Sequence, residues 1–280
     1  MTTVGIVVPT RNSARTLRAC LLSLRAQTRP CSVVVVDNHS TDSTGAIAEE
    51  LADRVLVRGP ERSAQRNAGA ALLGTDVVGF VDSDMVLEPS VVEEAAAAAV
   101  AAGAGAVIVP ERTVGEGFWA AVRALERSFY VGDDRVEAAR FFTRSVLDAT
   151  GGFDESLDAG EDWDLSLRAR RITSMARTSA GIDHLEGRLT YRAACAKKAA
   201  YSSGLRSFHA KHDSATLWRA LDRPYLRRPW RLLTPDPLLG AGVLALKAGE
   251  AAAVVWALTR DGSRRRAATT PAVTHEEHPR

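Results

Sequence analysis

The residues of this chain that could do chemistry fall into four short clusters. Asp82-Ser83-Asp84 follows an apolar run, VVGFV, at residues 77–81. Two carboxylates one residue apart in a turn can share a hard cation, Mg²⁺ or Mn²⁺, together with its water shell and phosphate oxygens. An isolated pair of this kind is more often a solvated acidic turn, so its neighbours decide the matter. Gly160-Glu161-Asp162-Trp163-Asp164 crowds acids at the start of a helix. Acids suit the positive end of the helix dipole. A carboxylate fixed there, with Trp163 to exclude water, could also deprotonate a hydroxyl as a general base. Ser63-Ala64-Gln65-Arg66-Asn67-Ala68-Gly69 sets an Arg near a helix start, where it could pair with phosphate. His184, within GIDHLEG, could complete a site begun by carboxylates through a nitrogen of its neutral imidazole.

The elements that must position these clusters are legible as periods. Residues 4–8 (VGIVV), 32–36 (SVVVV), 54–57 and 77–81 read as strands, the first, second and fourth apolar throughout and hence buried on both faces. Helices are expected from Ser13, from Thr41 or Asp42, and over 64–73. Strands alternating with helices predict an α/β fold, a mostly parallel sheet flanked by helices. Ligands in such sheets bind beyond the carboxyl ends of the strands. Thr10-Arg11-Asn12, Asp37-Asn38 and Asp82-Ser83-Asp84 all sit at those ends, so period and polar clusters point to one cleft. Further on, the pattern predicts helices over 90–102, 117–131 and 162–171, strands over 106–109 and 140–143, and a basic helical stretch from Tyr191. The chain divides into a catalytic domain at 1–205, a helical basic and apolar extension at 206–258, and a polar, mobile tail at 259–280.

Composition bounds the class. Over 280 residues, 46% hydrophobic and 25% charged is an ordinary globular mixture, which excludes a wholly disordered, collagen-like or coiled-coil chain. Cys20, Cys31 and Cys195 form no framework and no metal-binding pair, which points to a reducing compartment. The start, MTTVGIVVPTRN, lacks the basic and apolar regions of a signal peptide. The expected location is therefore the cytoplasm. A net charge of +2 hides an asymmetry: residues 1–200 carry 23 Lys and Arg against 27 Asp and Glu, and residues 201–280 carry 13 against 7. Arg219, Arg223, Arg227, Arg228 and Arg231 interleave with Trp218, Tyr225 and Trp230, and residues 232–246 follow with a single charge, Asp236. Fifteen helical residues span about 22 Å, short of the roughly 30 Å hydrocarbon core. The segment suits a helix lying peripherally on the inner face of the membrane, or one packed on the catalytic domain or in a homodimer.

Taken together, the chain resembles the family 2 glycosyltransferases, which have the GT-A (Rossmann-like) fold. The resemblance runs in order through VGIVVPTRNSARTL, VVVVDNHSTDST, SAQRNAGA, VDSD, GGFDE and GEDWDLSLRAR. It implies sugar transfer from a nucleotide-sugar donor to an acceptor hydroxyl, with inversion and with Mg²⁺ or Mn²⁺. It implies that Thr10, Asn12, Asp37 and Asn38 lie near the nucleoside and that Arg66 faces the diphosphate. Asp82 and Asp84 match the family's metal-binding pair, with Asp84 the direct ligand and His184 a further one. Asp162 matches the catalytic base, and Glu161 beside it contacts the acceptor. Where many members carry a second Asp after the second strand this chain has Asn38, whose amide can both donate to and accept from a pyrimidine edge. The donor is therefore expected to be a UDP- or dTDP-sugar, and the acceptor a small molecule or a lipid-linked sugar, with no nucleic-acid partner. The rival readings are a sugar nucleotidyltransferase, which would want a Gly-rich phosphate loop where this chain has PTRNSART, and a non-catalytic nucleotide-sugar-binding protein.

Overall fold

The computed structural model describes residues 1–101, 103–157, 159–212, 224–233 and 236–269. Its centre is a seven-stranded sheet in the order β3-β2-β1-β4-β8-β6-β9. The strands are β1 (Val4–Thr10), β2 (Ser32–Asp37), β3 (Arg54–Val57), β4 (Val77–Phe80), β6 (Ala104–Ile108), β8 (Ala139–Thr143) and β9 (Ser174–Arg177). All are parallel to their neighbours except β8, which runs antiparallel to both β4 and β6. The apolar runs are explained by burial on both faces. Val4, Ile6 and Val8 of β1, with Val33 and Val35 of β2, pack on one side with Leu17, Cys20, Leu21 and Leu24 of helix α1 (Ala14–Arg25). Val7, Val34, Val36, Val78 and Phe80 face the other side, with Ala70 of α3 (Arg62–Ala71) and Leu165 of α7 (Glu161–Ala169). Strand alternation thus feeds two cores, each fully buried Leu or Val contributing about 1.5–3 kcal/mol.

A second sheet, which the sequence did not announce, has the order β5-β10-β7, from β5 (Met85–Leu87), β7 (Glu111–Glu116) and β10 (Ile182–Arg188). Its strands are short or half-exposed, so they lack the apolar signature. Helices α2 (Thr44–Leu51), α4 (Val91–Ala101), α5 (Phe118–Ser128) and α6 (Arg144–Thr150) complete the layers.

Beyond β10 the chain is helical. Helix α8 (Tyr191–Lys211) passes without a break through the boundary expected at 205, so the catalytic domain and the extension share an element. A short α9 (Pro224–Arg227) and a 3₁₀ turn (Pro229–Leu232) lead to α10 (Pro237–Thr269). Arg219, Arg223 and Trp218 of the expected basic cluster, and residues 270–280 of the tail, lie outside the described residues. Residues 259–269, expected to be part of a mobile tail, continue α10 as helix. The extension packs on the catalytic domain: Leu232, Val243 and Leu246 join Val122 and Phe129 in a third core with Ala194 and Tyr225.

Candidate active site

The site lies where the carboxyl ends of β1, β2 and β4 meet the start of α7. Two backbone features bring α3 and α7 there. Gly69 lets α3 lie flat on β1: a side chain there would stand 2.4 Å from Val7 Cγ1. Gly160, at φ 79°, turns the chain into α7 in a left-handed conformation that favours glycine, and a Cβ on it would meet Phe208 at 2.8 Å. Glu161 and Asp162 then open the helix, facing the first turns of α3.

Arg66 is the hub. Its guanidinium is fully buried and holds three carboxylates: Nη1 donates to Glu161 Oε1 at 3.0 Å and Asp162 Oδ1 at 2.9 Å, and Nη2 donates to Asp82 Oδ1 at 2.8 Å. Arg66, expected to face a diphosphate, is turned in this structure to Asp82, Glu161 and Asp162. The close seat of α3 on β1 puts it behind the acids, where its charge is already matched. Arg140, on β8 beside β4, backs the same group. Nε and Nη2 donate to Glu111 Oε1 at 2.8 and 2.6 Å, while Nη1 stands 3.5 Å from Asp82 Oδ2 and 3.7 Å from Asp162 Oδ2. Burial alone would raise the Asp82 carboxyl, but Arg66, Arg140 and Arg62 outweigh it and hold it well below the usual carboxylate range. Glu161 goes the other way: burial and the neighbouring Asp162 raise its proton affinity against Arg66 and Arg62.

Asp84 and His184 do meet. β5 follows the acidic turn and pairs antiparallel with β10, setting His184 opposite Met85, and Leu185 N donates to the Asp84 carbonyl at 2.7 Å. His184 Nε2 therefore lies 3.1 Å from Asp84 Oδ2. Burial would raise the Asp84 carboxyl, but His184 holds it low. Two tendencies oppose on the imidazole. Burial lowers its proton affinity, while Asp84 and Glu111 raise it further, to about 9. Arg127 Nη1, which can only donate, stands 2.9 Å from Nδ1 and favours the neutral ring, because two donors cannot share one hydrogen bond. A cation at Nε2 requires that neutral ring. Asp82 does not join this pair, being turned to Arg66 and Arg140, and among the described residues no three metal-capable side chains converge. Asp84 with His184 nonetheless fits a cation of the Mg²⁺ or Mn²⁺ type, which takes one or two protein ligands and completes its shell with water and substrate phosphate.

The residues expected at the nucleoside knit loops together. Asn12, at φ 49°, accepts from Thr41 N at 2.8 Å, and its own N–H donates to Ser40 Oγ at 2.8 Å. Thr10 and Asp37 are buried, and Asp37 accepts from Ser40 through both its N–H and its hydroxyl. The Asn38 amide, set by the sequence reading against a pyrimidine edge, donates instead to the Pro60 carbonyl at 2.6 Å and is buried. Ser13 precedes α1 as expected, but its hydroxyl makes no cap. It accepts from Ser83 Oγ at 2.9 Å, tying the first loop to the acidic turn.

Three cavities converge here. One of about 240 Å³ at the strand ends is lined by Thr10, Arg11, Asp82, Asp84, Arg62 and Lys197 among others. Two more, of about 330 and 400 Å³, lie on the α7 side, and Asp162, Trp163 and His184 line both. Of the two acids that open α7, Asp162 is the more open at 25% exposed and lines both of these cavities, while Glu161, held by Arg66 and Arg62, is 8% exposed and borders only the larger one. Arg62, Glu111, Arg127, Arg140, Lys197 and Tyr201 were not picked out by sequence. Arg62 was within reach, one helical turn before Arg66 on the same face. The others depend on pairings and packing that no spacing announces.

With this geometry in hand, comparison with known proteins is informative. The model for "Glycosyl transferase family 2" matches residues 5–153. A pre-mycofactocin glycosyltransferase of Mycobacterium tuberculosis is 29% identical over 241 residues, which is 76% of this chain and 49% of that protein. The chain thus spans about half the length of the relatives it matches over most of its span. Among solved structures, the mannosyltransferase PcManGT from Pyrobaculum calidifontis, in complex with GDP-Man and Mn²⁺, superposes with a TM-score of 0.57 at 21% identity, over 94% of this chain and 80% of that one. S. aureus TarS in complex with UDP-GlcNAc does so with a TM-score of 0.54 at 18% identity, over 90% of this chain and 81% of that one. At these identities the likeness speaks for the fold, which is GT-A.

Proposed function

The chain belongs to glycosyl transferase family 2, and on that premise we propose that it moves a sugar from a nucleotide-sugar donor to an acceptor hydroxyl. The observation that carries the reading is the three-way grip of Arg66, which fixes an acid of the donor turn, Asp82, to the two acids that open α7. One guanidinium thereby sets the distance between the donor side and the acceptor side.

In this reading the nucleotide occupies the strand-end cavity, and Arg62 and Lys197, which line it, supply positive charge to the diphosphate in place of Arg66. Asp84 and His184 would hold Mg²⁺ or Mn²⁺, which neutralises charge developing on the leaving diphosphate. Asp162 takes the proton of the acceptor hydroxyl as its oxygen bonds the anomeric carbon. The bond to the diphosphate breaks, and its electron pair leaves with the nucleoside diphosphate. One carboxylate base acting in a single displacement inverts the anomeric centre. Arg66 keeps Asp162 aimed, and Trp163 shields it from water. Glu161 borders the acceptor-side cavity of about 400 Å³ and shapes acceptor binding. The two structural neighbours carry different bases, so their likeness does not choose a nucleotide. The strand-end cavity, of about 240 Å³, and the tied loops around it favour a one-ring base, UDP or dTDP. The acceptor is a small molecule or a lipid-linked sugar.

A panel of nucleotide sugars, with Mn²⁺ or Mg²⁺ and with EDTA, tests this directly. Release of nucleoside diphosphate with metal, largest with a UDP or dTDP donor, is expected. Pyrophosphate release from a nucleoside triphosphate and a sugar 1-phosphate, with no nucleoside diphosphate released from any nucleotide sugar, would mean nucleotidyl transfer, and binding without any release would leave a sugar-nucleotide-binding protein.

A further inference from the structure

Helix α10 has its polarity inside out. Its exposed positions recur at steps of three and four residues from position 237 to position 259. None carries a charge, and Leu238, Leu244, Val255 and Trp256 are each more than half exposed. The two charges in this stretch, Lys247 and Glu250, point inward. Lys247 Nζ reaches Glu126 at 2.7 Å and Glu250 at 2.5 Å, and Glu250 also pairs with Arg123 of α5. A helix on a water-exposed surface shows the opposite arrangement, with polar residues outside and apolar ones on the core. The segment Pro237–Ala257 is long and apolar enough, by length and composition, to cross a membrane. Yet its inner side is occupied: Val243 and Leu246 are fully buried in the third core. A spanning helix would have to leave that core and expose the ion pairs.

Charge marks the occupant of the outer face. Exposed Arg227, Arg228 and Arg231 precede α10, and Arg260, Arg264, Arg265 and Arg266 fall in the sequence of its last turns. Two of the three preceding arginines also have intramolecular contacts, Arg227 with Asp133 at 3.0 Å and Arg231 over the Phe129 ring at 4.9 Å. Trp230, 62% exposed, stands just before the helix, and Trp256 lies toward the end of its apolar face. Tryptophans and basic residues flanking an apolar face are the pattern of a helix lying in a negatively charged interface. A second copy of the chain fits less well. Twenty-three residues give a face about 34 Å long and about 10 Å wide, roughly 340 Å² per subunit, against the roughly 800 Å² per partner of a stable interface.

We propose that the outer face of α10 docks on the surface of an anionic lipid bilayer, with the helix lying in the headgroup region and the catalytic domain behind it. The test is flotation of the full chain with vesicles of phosphatidylcholine, alone or mixed with phosphatidylglycerol. The protein should rise with the mixed vesicles and stay at the bottom with phosphatidylcholine alone. The double variant Leu244→Glu, Trp256→Glu should stay at the bottom with both, while its circular dichroism and melting temperature match the parent, because both positions are exposed. A parent chain that stays at the bottom with mixed vesicles at low salt overturns the proposal. So does a double variant that floats as well as the parent. A parent dimer that does not float, and that the double variant dissociates, would assign the face to a second copy instead.

Discussion

At the scale of single residues the account turns on Arg66. Three carboxylates held by one buried guanidinium are stable only while that charge is present. Arg66→Ala should destabilise the fold by about 3–5 kcal/mol in denaturant titrations, the usual cost of breaking a buried ion cluster. Arg66→Lys should recover only part of this, since the three donors of an ammonium radiate from one nitrogen and do not span acids on α7 and on the β4 turn as the guanidinium fork does. Unchanged stability in Arg66→Ala would mean that Arg140 carries the site alone. Asp84 is predicted to matter differently. Its side chain lies at the cavity edge, so Asp84→Ala should keep the parent's melting temperature and lose the turnover that metal confers; full activity of that variant in EDTA would remove the cation from the mechanism. The sequence made Arg66 visible as a cation for phosphate but not its three carboxylate partners, because the close seating at Gly69 is a packing fact. It made Asn38 visible as a hydrogen-bonding group, but not that the Pro60 carbonyl takes its amide.

At the scale of elements, strands buried on both faces were legible, as was the exposed β3 through its place in the strand–helix alternation, while β9 and the strands of the second sheet were not. β1, β2 and β4 announce themselves as valine-rich runs. β7 reads ERTVGE and β9 reads SMAR, and neither alternates cleanly. The consequence falls on His184: its type was suggestive, but only the antiparallel register of β5 and β10 explains why it meets Asp84. The same limit hid the seam between α5 and α10, where Lys247 and Glu250 look like interruptions of an apolar run and are its buried face. That seam has a pH signature. Burial alone would raise the Glu126 carboxyl, but Lys247 and Arg123 outweigh it and lower it from its ordinary 4.5 to about 2. Stability from a depressed carboxyl is complete above 4.5 and is lost as the pH falls toward 2. Melting curves of the parent and Glu126→Gln should therefore differ most near neutrality and converge by about pH 2. A gap that persists at low pH would show that shape, not charge, holds the seam.

At the scale of the whole molecule, a sheet built on buried strands delivers three loops to one edge, and α7 closes that edge from the other side. The strand-end cavity and the two cavities beside α7 meet at the Asp82, Asp162 and His184 cluster, and in the proposed function a sugar and a hydroxyl brought from opposite sides meet beside Asp162. The gathering of the strand-end loops at one edge was readable from the order of motifs. The position of the C-terminal helices was not, because whether an apolar helix faces a core or a lipid depends on which of its faces the core already fills. The central claim is that Asp162 is the base at this meeting point, and one comparison tests it most directly. Asp162→Asn keeps the shape and loses the proton acceptor. With the donor that the parent turns over, the rate should fall roughly 10²–10⁴-fold, while donor affinity measured by calorimetry stays at the parent value. Turnover at the parental rate in Asp162→Asn would contradict the account and move the base to Glu161.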